Sequence, residues 1–178
     1  MQLGKLKFVD LNDATDLVPA TVFNSVNDNS LSNVFVTEID STLADTVAFC
    51  EAYDIGAEVS ANCVIVEAKR ADKTWYAACV ILATDRADIN GVIRRSLDAR
   101  KISFAPMDLA VSMTGMEYGG ITPIGLPADW PIIVDSRIAS LEKVVVGSGL
   151  RNSKILVSGR LLSSLPHAIS LDIVKPVE

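Results

Sequence analysis

The stretch NCVIVEAKRADKTWYAACVILA, residues 62–83, decides the architecture. Asn62–Ala68 is rich in β-branched residues and reads as a strand; Trp75–Ala83 reads as its partner. The polar run between them, Lys69–Lys73, turns the chain, so the two form an antiparallel hairpin with a loop somewhat longer than the tightest type. Alternation sets Cys63, Ile65, Glu67 and Lys69 on one face and Val64, Val66 and Ala68 on the other. The Val64/Val66 face is expected on the core.

Further strands are predicted on either side: 34–39, 102–104, 131–135, 143–146 and 154–157. Helices are expected at 17–26, after Asp40 and Ser41 with Leu43, Val47 and Cys50 on one face, after Asp88, at 107–113 opened by Pro106, and at 160–165. Strands outnumber helices, and hairpins make the sheet antiparallel or mixed. The expectation is an α+β fold, a single domain over residues 1–178 with a curved sheet and packed helices.

Composition sets bounds on function. The chain has 178 residues, 49% hydrophobic and 21% charged, which is a globular profile. No apolar run reaches the ~18–20 residues of a membrane helix, and the N-terminus lacks the apolar core of a secretory signal. A cytoplasmic protein with no membrane partner is expected. Three cysteines without C-x-x-C spacing support neither a disulfide framework nor a zinc site, and no cofactor or metal is implied. The net charge of −6 argues against a general nucleic-acid binder, and no DNA partner is expected. That acidity is confined to residues 1–60, at −8; residues 61–178 carry +2, with basic clusters at Lys69, Arg70 and Lys73 and at Arg94, Arg95, Arg100 and Lys101. These are either solvated faces or local docking points for a polyanion.

Residues 114–127, TGMEYGGITPIGLP, hold four glycines and two prolines. Such a loop is either a tight turn or a backbone cradle for a carbonyl or carboxylate oxygen. Gly147-Ser148-Gly149 is likewise either a hairpin turn or a pocket wall, the latter if strands 131–135 and 143–146 are adjacent. The one histidine, His167, lies in a polar terminal segment with no nucleophile elbow elsewhere, which speaks against a Ser–His or Cys–His hydrolase.

The run 113–127, the strand PIIVD at 131–135 and VVVGSGLR at 144–151 together resemble the YbaK/prolyl-tRNA-synthetase-associated domain family, which carries T-G-x-x-x-G-G-[IV]-[ST]-P-[ILV]-G, a strand ending in Asp, and a later glycine turn. The similarity covers about residues 34–165, leaving 1–33 as an N-terminal extension. It implies a YbaK-like fold and hydrolysis of the ester of a mischarged aminoacyl-tRNA, often a small amino acid on tRNA(Pro). Possible partners are that tRNA and an aminoacyl-tRNA synthetase. It maps substrate contacts to Gly119, Gly120, Ile121, Pro123, Gly147, Ser148 and Gly149, and gives Thr122, with the amides of 119–122, the task of orienting the carbonyl.

Two positions depart from the family pattern. The lysine that members carry at the start of the first hairpin strand is replaced by Cys63, and an acidic residue after the glycine turn by Lys154. A thiol is no cationic donor. Either Lys69 or Lys154 supplies the positive group, or substrate preference has changed, or binding has outlived catalysis. Cys63 is expected to face the pocket, as a passive wall or as a nucleophile. The leading expectation is a trans-editing deacylase; the alternative is a non-catalytic module that binds an aminoacyl group or a synthetase.

Overall fold

A computed structural model describes residues 1–175 of the chain. It opens with three two-residue strands, β1 (Gln2–Leu3), β2 (Leu6–Lys7) and β3 (Val9–Asp10), followed by helix α1 (Ala20–Asp28). Strand β4 (Phe35–Glu38) leads to helix α2 (Thr46–Tyr53). The long hairpin β5 (Ala61–Arg70) and β6 (Lys73–Leu82) comes next. A π-turn at Ile89–Ile93 continues into α3 (Arg94–Ser96), then β7 (Lys101–Phe104), α4 (Met107–Thr114), β8 (Ile132–Asp135), β9 (Val144–Gly147), β10 (Ser153–Val157), α5 (Gly159–Ser163) and β11 (Ala168–Leu171).

Two sheets carry the fold. One has the order β11-β8-β6-β5-β7, mixed, with β8 parallel to both β6 and β11; the other, antiparallel, has the order β3-β4-β10-β9. The α+β expectation with a mixed sheet holds. Between the sheets lies the largest apolar cluster, including Ile65, Ala78, Val80, Val134, Val146 and Ile155, into which α1 sends Val22 and Val26, α4 Ala110 and α5 Leu162. The outer face of the five-stranded sheet is covered by Ile93 and Leu97, packed on Val66, Ala68, Ala77 and Cys79. Phe49 of α2, with Leu6 and Phe8 of the N-terminal segment, covers the outer face of the other sheet over Val145 and Leu156. A sheet buried on both faces needs apolar residues at consecutive positions. That is why β6 ends in the unbroken run Ala77–Leu82, and why the neighbours Ile65 and Val66, on opposite faces, are both buried.

Several local expectations are corrected. The hairpin strands run on to Arg70 and Lys73, so the turn is only Ala71-Asp72, with Ala71 at φ 51°. The first helix starts after Pro19, which sits at the N-cap instead of within the first turn. Asp40 caps a short 3-10 turn, and it is Asp45 that caps α2 by accepting from the Val47 amide at 3.1 Å. The stripe of Leu43, Val47 and Cys50 does not form: Val47 is 68% exposed, and Phe49 is the residue that α2 buries. Asp88 does cap its helix, accepting from the amides of Gly91 and Val92 at 3.1 and 3.0 Å. Strands 131–135 and 143–146 are not neighbours; they belong to different sheets.

Besides packing face to face, the two sheets are joined edge to edge by one bridge among the described residues. Ser60, just before β5, forms a parallel bridge with Val145 of β9. On the same edge β7 pairs with β5 only from Val66 to Lys69, and the Ala105 amide caps the Ile65 carbonyl at 2.9 Å. Between these contacts, Ala61 to Val64 have β6 on one side and, among the described residues, no strand on the other. At roughly 3.3 Å per residue this is a gap of about 13 Å in the strand edge.

Candidate functional site

A cavity of about 630 Å³ opens into this gap. One wall is the free edge of β5, with Asn62, Cys63 and Val64; another is Gly147 of β9 and Lys154 of β10; a third is Tyr118, Gly119 and Ile121. Ala44–Thr46, Phe104–Ala105 and Met107 complete the mouth. The sequence motifs thus converge, because residues 63, 119, 147 and 154 all line one space.

The glycines are there to let two loops touch. A Cβ on Gly147 would stand 2.5 Å from the Ile121 carbonyl oxygen and closer still to that of Gly120; one on Gly120 would meet the Leu150 backbone at 2.6 Å. Only glycine fits at either contact. The Gly149 amide donates to the Gly120 carbonyl at 2.7 Å, and the Glu117 amide to the Gly149 carbonyl at 2.8 Å, closing a clasp between the 114–125 loop and the β9–β10 turn. Arg151 staples it: its amide donates to Glu117 Oε2 at 2.6 Å, Nη1 to the Tyr118 carbonyl at 3.0 Å and Nη2 to the Ser41 carbonyl at 3.2 Å.

Within the clasp the assigned residues divide. Gly119 and Ile121 line the cavity, and neither amide has an acceptor among the described residues. The Gly120 amide is taken by the Glu117 carbonyl at 2.9 Å, and that of Thr122 points at Met116 Sδ at 3.5 Å. Thr122 is fully buried outside the cavity lining, its hydroxyl without a partner among the described residues. The resemblance gives this residue the substrate carbonyl; here its side chain is buried away from the cavity. Pro123 faces a different hollow, shared with His167, Thr114 and Trp130. Ser148 is a scaffold residue: its buried hydroxyl bonds the Leu150 and Ser153 carbonyls at 3.1 Å and Ser153 Oγ at 2.7 Å. Gly149 packs on Pro19 and Val22.

The two candidate cations separate clearly. Lys69 shares the Cys63 face by alternation but lies six residues, roughly 20 Å, further along β5. It is exposed, bound to Glu67 at 2.5 Å, and not part of the cavity lining. Lys154 is 7% exposed and lines the cavity. Its Nζ donates to the Ala44 carbonyl at 3.0 Å and sits 5.2 Å from the centre of the Phe49 ring. Burial lowers its pKa to about 8, against the opposing pull of Cys50 and Asp45. An ammonium with one donor committed to Ala44 keeps two for a ligand.

Cys63 faces the cavity as expected. Burial, with Cys79 nearby, drives its pKa far above the ordinary thiol value, so the sulfur stays protonated at neutral pH. A nucleophilic cysteine needs the opposite shift. Cys63 is therefore a small apolar wall. Sequence reasoning missed Asp45, Asn62, Phe104, Tyr118 and Arg151 at the site. Of these only Arg151 carried a signal, as a charge two residues after the glycine turn.

The chain matches the model of the aminoacyl-tRNA editing domain family over residues 40–165. Over 72 residues it is 39% identical to a proline–tRNA ligase of Lactobacillus gasseri, a match covering 39% of this chain and 12% of the ligase. Its fold is similar to the crystal structure of a candidate trans-editing enzyme for prolyl-tRNA synthetase, with a TM-score of 0.75 at 15% identity, covering 88% of this chain and 96% of that one. It is also similar to the hypothetical protein APE2540, with a TM-score of 0.76 at 21% identity, covering 87% and 99%. With the family model spanning most of the chain and the glycine clasp built from the motif residues, the chain belongs to the aminoacyl-tRNA editing domain family.

Proposed function

We propose that this protein is a trans-editing deacylase, acting as one domain on the ester of a mischarged aminoacyl-tRNA, with tRNA(Pro) carrying a small amino acid as the first substrate to test. The observation that carries the reading is Lys154: a buried ammonium aimed into the motif-lined cavity, on the strand next to Gly147 and in a protein whose family lysine is replaced by Cys63.

In this reaction water adds to the ester carbonyl carbon. The carbonyl oxygen becomes an oxyanion, the bond to the ribose oxygen breaks, and a proton passes to that leaving oxygen. Lys154 and the free amides of Gly119 and Ile121 are the donors available to the oxyanion. No protein nucleophile is needed, consistent with the protonated Cys63 and with His167 lying in a separate hollow. The walls Ala61, Val64, Ile65, Ala105 and Ala110 suit an uncharged aminoacyl side chain.

The test is deacylation of a panel of mischarged tRNAs by the purified chain and by Lys154→Met. Cleavage by the wild type, with a loss in the variant of ~10²–10³-fold, is expected from removing one oxyanion donor. No cleavage of any substrate above the spontaneous rate refutes the reading. It then leaves the non-catalytic alternative, a module binding an aminoacyl group or a synthetase, which the protonated thiol at the family's lysine position favours.

A further inference from the structure

Away from the cavity, the strongest charge feature is at the tip of the β5–β6 hairpin. Residues 67–73 and 94–101 contain seven Lys/Arg and three Asp/Glu, a net +4 in a chain of −6, so the rest of the protein carries −10. The fold brings the two segments together: Lys69 pairs with Lys101 across β5 and β7, and the Arg100 amide donates to the Lys69 carbonyl at 2.9 Å. Arg70, Arg94 and Arg100 line one hollow of about 420 Å³ floored by Ala71 and Ala99. Two of these guanidinium groups are partly used: Arg70 on Asp98, and Arg94 Nε on the Asn90 carbonyl at 2.9 Å. The side chains of Lys73, Arg95, Arg100 and Lys101 have no hydrogen-bond or ion-pair partner among the described residues. Concentrated, forked donors around a small-residue floor match the oxygens of a phosphodiester.

The same edge also carries exposed rings. Phe104 and Tyr118 are each 57% exposed, and both stand at the cavity mouth, beside Met107 at 48%. Three large apolar side chains exposed around one mouth form a patch of the kind that marks an interaction site, and a nucleobase is a flat partner for its two rings. Phe104 pairs with Val66, and alternation puts Val66, Ala68 and Arg70 on one face. The basic hollow thus begins four residues, roughly 13 Å, along the strand from the mouth.

We propose that this edge carries the 3′ end of the tRNA: Phe104 and Tyr118 stack terminal bases at the cavity mouth, and the hollow of Arg70, Arg94 and Arg100 holds backbone phosphates a few nucleotides back. The identity of the nucleic acid rests on the editing reading; the polyanion site rests on the geometry alone. A net acidic protein then binds a polyanion through one local patch, and its remaining negative surface keeps the rest of the nucleic acid off.

The test is fluorescence anisotropy with labelled, uncharged tRNA over 50–200 mM salt, using the full chain. Arg70→Gln/Arg94→Gln/Arg100→Gln is expected to lower the slope of log affinity against log salt by about 2, and to weaken binding at 0.1 M salt by roughly 50-fold, as loss of two phosphate contacts requires. Phe104→Ala is expected to weaken binding roughly tenfold with the salt slope unchanged, as loss of stacking requires. A control, Lys7→Gln/Lys143→Gln/Arg160→Gln, removes as much charge elsewhere and should leave the slope near wild type. Equal loss in the control and the hollow variant overturns the proposal, as does an unchanged slope in the hollow variant or no tRNA binding by the wild type. Loss of binding to prolyl-tRNA synthetase with tRNA binding intact also overturns it and assigns the patch to a protein. Because uncharged tRNA is the probe, a chain that binds it as expected but cleaves no aminoacyl ester refutes the deacylase reading and leaves this proposal standing.

Discussion

Lys154→Met should make the protein more stable and less active at once. The ammonium is buried without an acidic partner at ion-pair distance among the described residues; it has a carbonyl and an aromatic ring. Lowering its pKa from 10.5 to about 8 corresponds to a cost of ~3 kcal/mol for holding the charged form in the fold at neutral pH. The sign follows from proton counting. Between about pH 8 and 10.5 the unfolded chain keeps the proton and the folded chain has released it, so unfolding takes up a proton and stability rises with pH across that window. Below pH 8 both states are charged and the full cost stands. Methionine matches the stem in length and removes the charge. Allowing for the lost Ala44 contact, a gain of ~1–2 kcal/mol at pH 7 is expected, fading towards pH 10. Urea denaturation at pH 7 and pH 9.5, in parallel with single-turnover deacylation, measures both effects. Activity should fall ~10²–10³-fold. The wild-type rate above the hydroxide-driven background should decline through about pH 8 as the ammonium is lost. A variant destabilised at pH 7, or stabilised with full activity, refutes the assignment of Lys154 as a strained functional cation.

Three further outcomes follow from the geometry. Cys63→Ala should retain deacylation within a few-fold, and iodoacetamide at pH 7.5 should leave Cys63 unlabelled by mass spectrometry, because burial keeps the thiol protonated. Gly147→Ala forces a Cβ against the Gly120 and Ile121 carbonyls and should cost ~2 kcal/mol or more in thermal or urea melts, with activity falling as the clasp opens. Asp135 is fully buried and accepts from Arg137 Nε at 2.8 Å and from the amides of Arg137 and Ile173; because the half-exposed Arg137 keeps Asp85, Asp135→Ala should cost ~1–3 kcal/mol, read by denaturation, chiefly by leaving the two amides without their acceptor.

The sequence was most readable where local pattern and tertiary demand coincided. The β5–β6 hairpin, α4 after Pro106 and the Asp88 cap depend on alternation, proline geometry and one side-chain cap, all local. The strands β1–β3 are two residues each and β11 is a parallel edge; their pairing comes from distant chain, so no window of residues announces them. At the site, the glycine loop was legible because its composition is unusual, and the resemblance then gave it a purpose. Thr122 lies fully buried and outside the cavity lining, a placement that no local pattern of residues announces. Lys69 and Lys154 looked equivalent as positive charges; only the hairpin's length sends one about 20 Å away, while the register of β10 against β9 sets the other opposite Gly147.

The unpaired stretch of β5 between Ser60 and Val66 has one more meaning. A strand that loses its second neighbour for four residues leaves the backbone groups of that edge without a strand partner among the described residues, inside the sheet order and not at its margin. Anything lodged there acts as the missing neighbour and adds a second edge link, beside the Ser60–Val145 bridge, between two layers already packed face to face. Occupancy should then register as slower amide hydrogen exchange in β5 and β9 together, a mechanical coupling of the layers by the guest rather than a local contact.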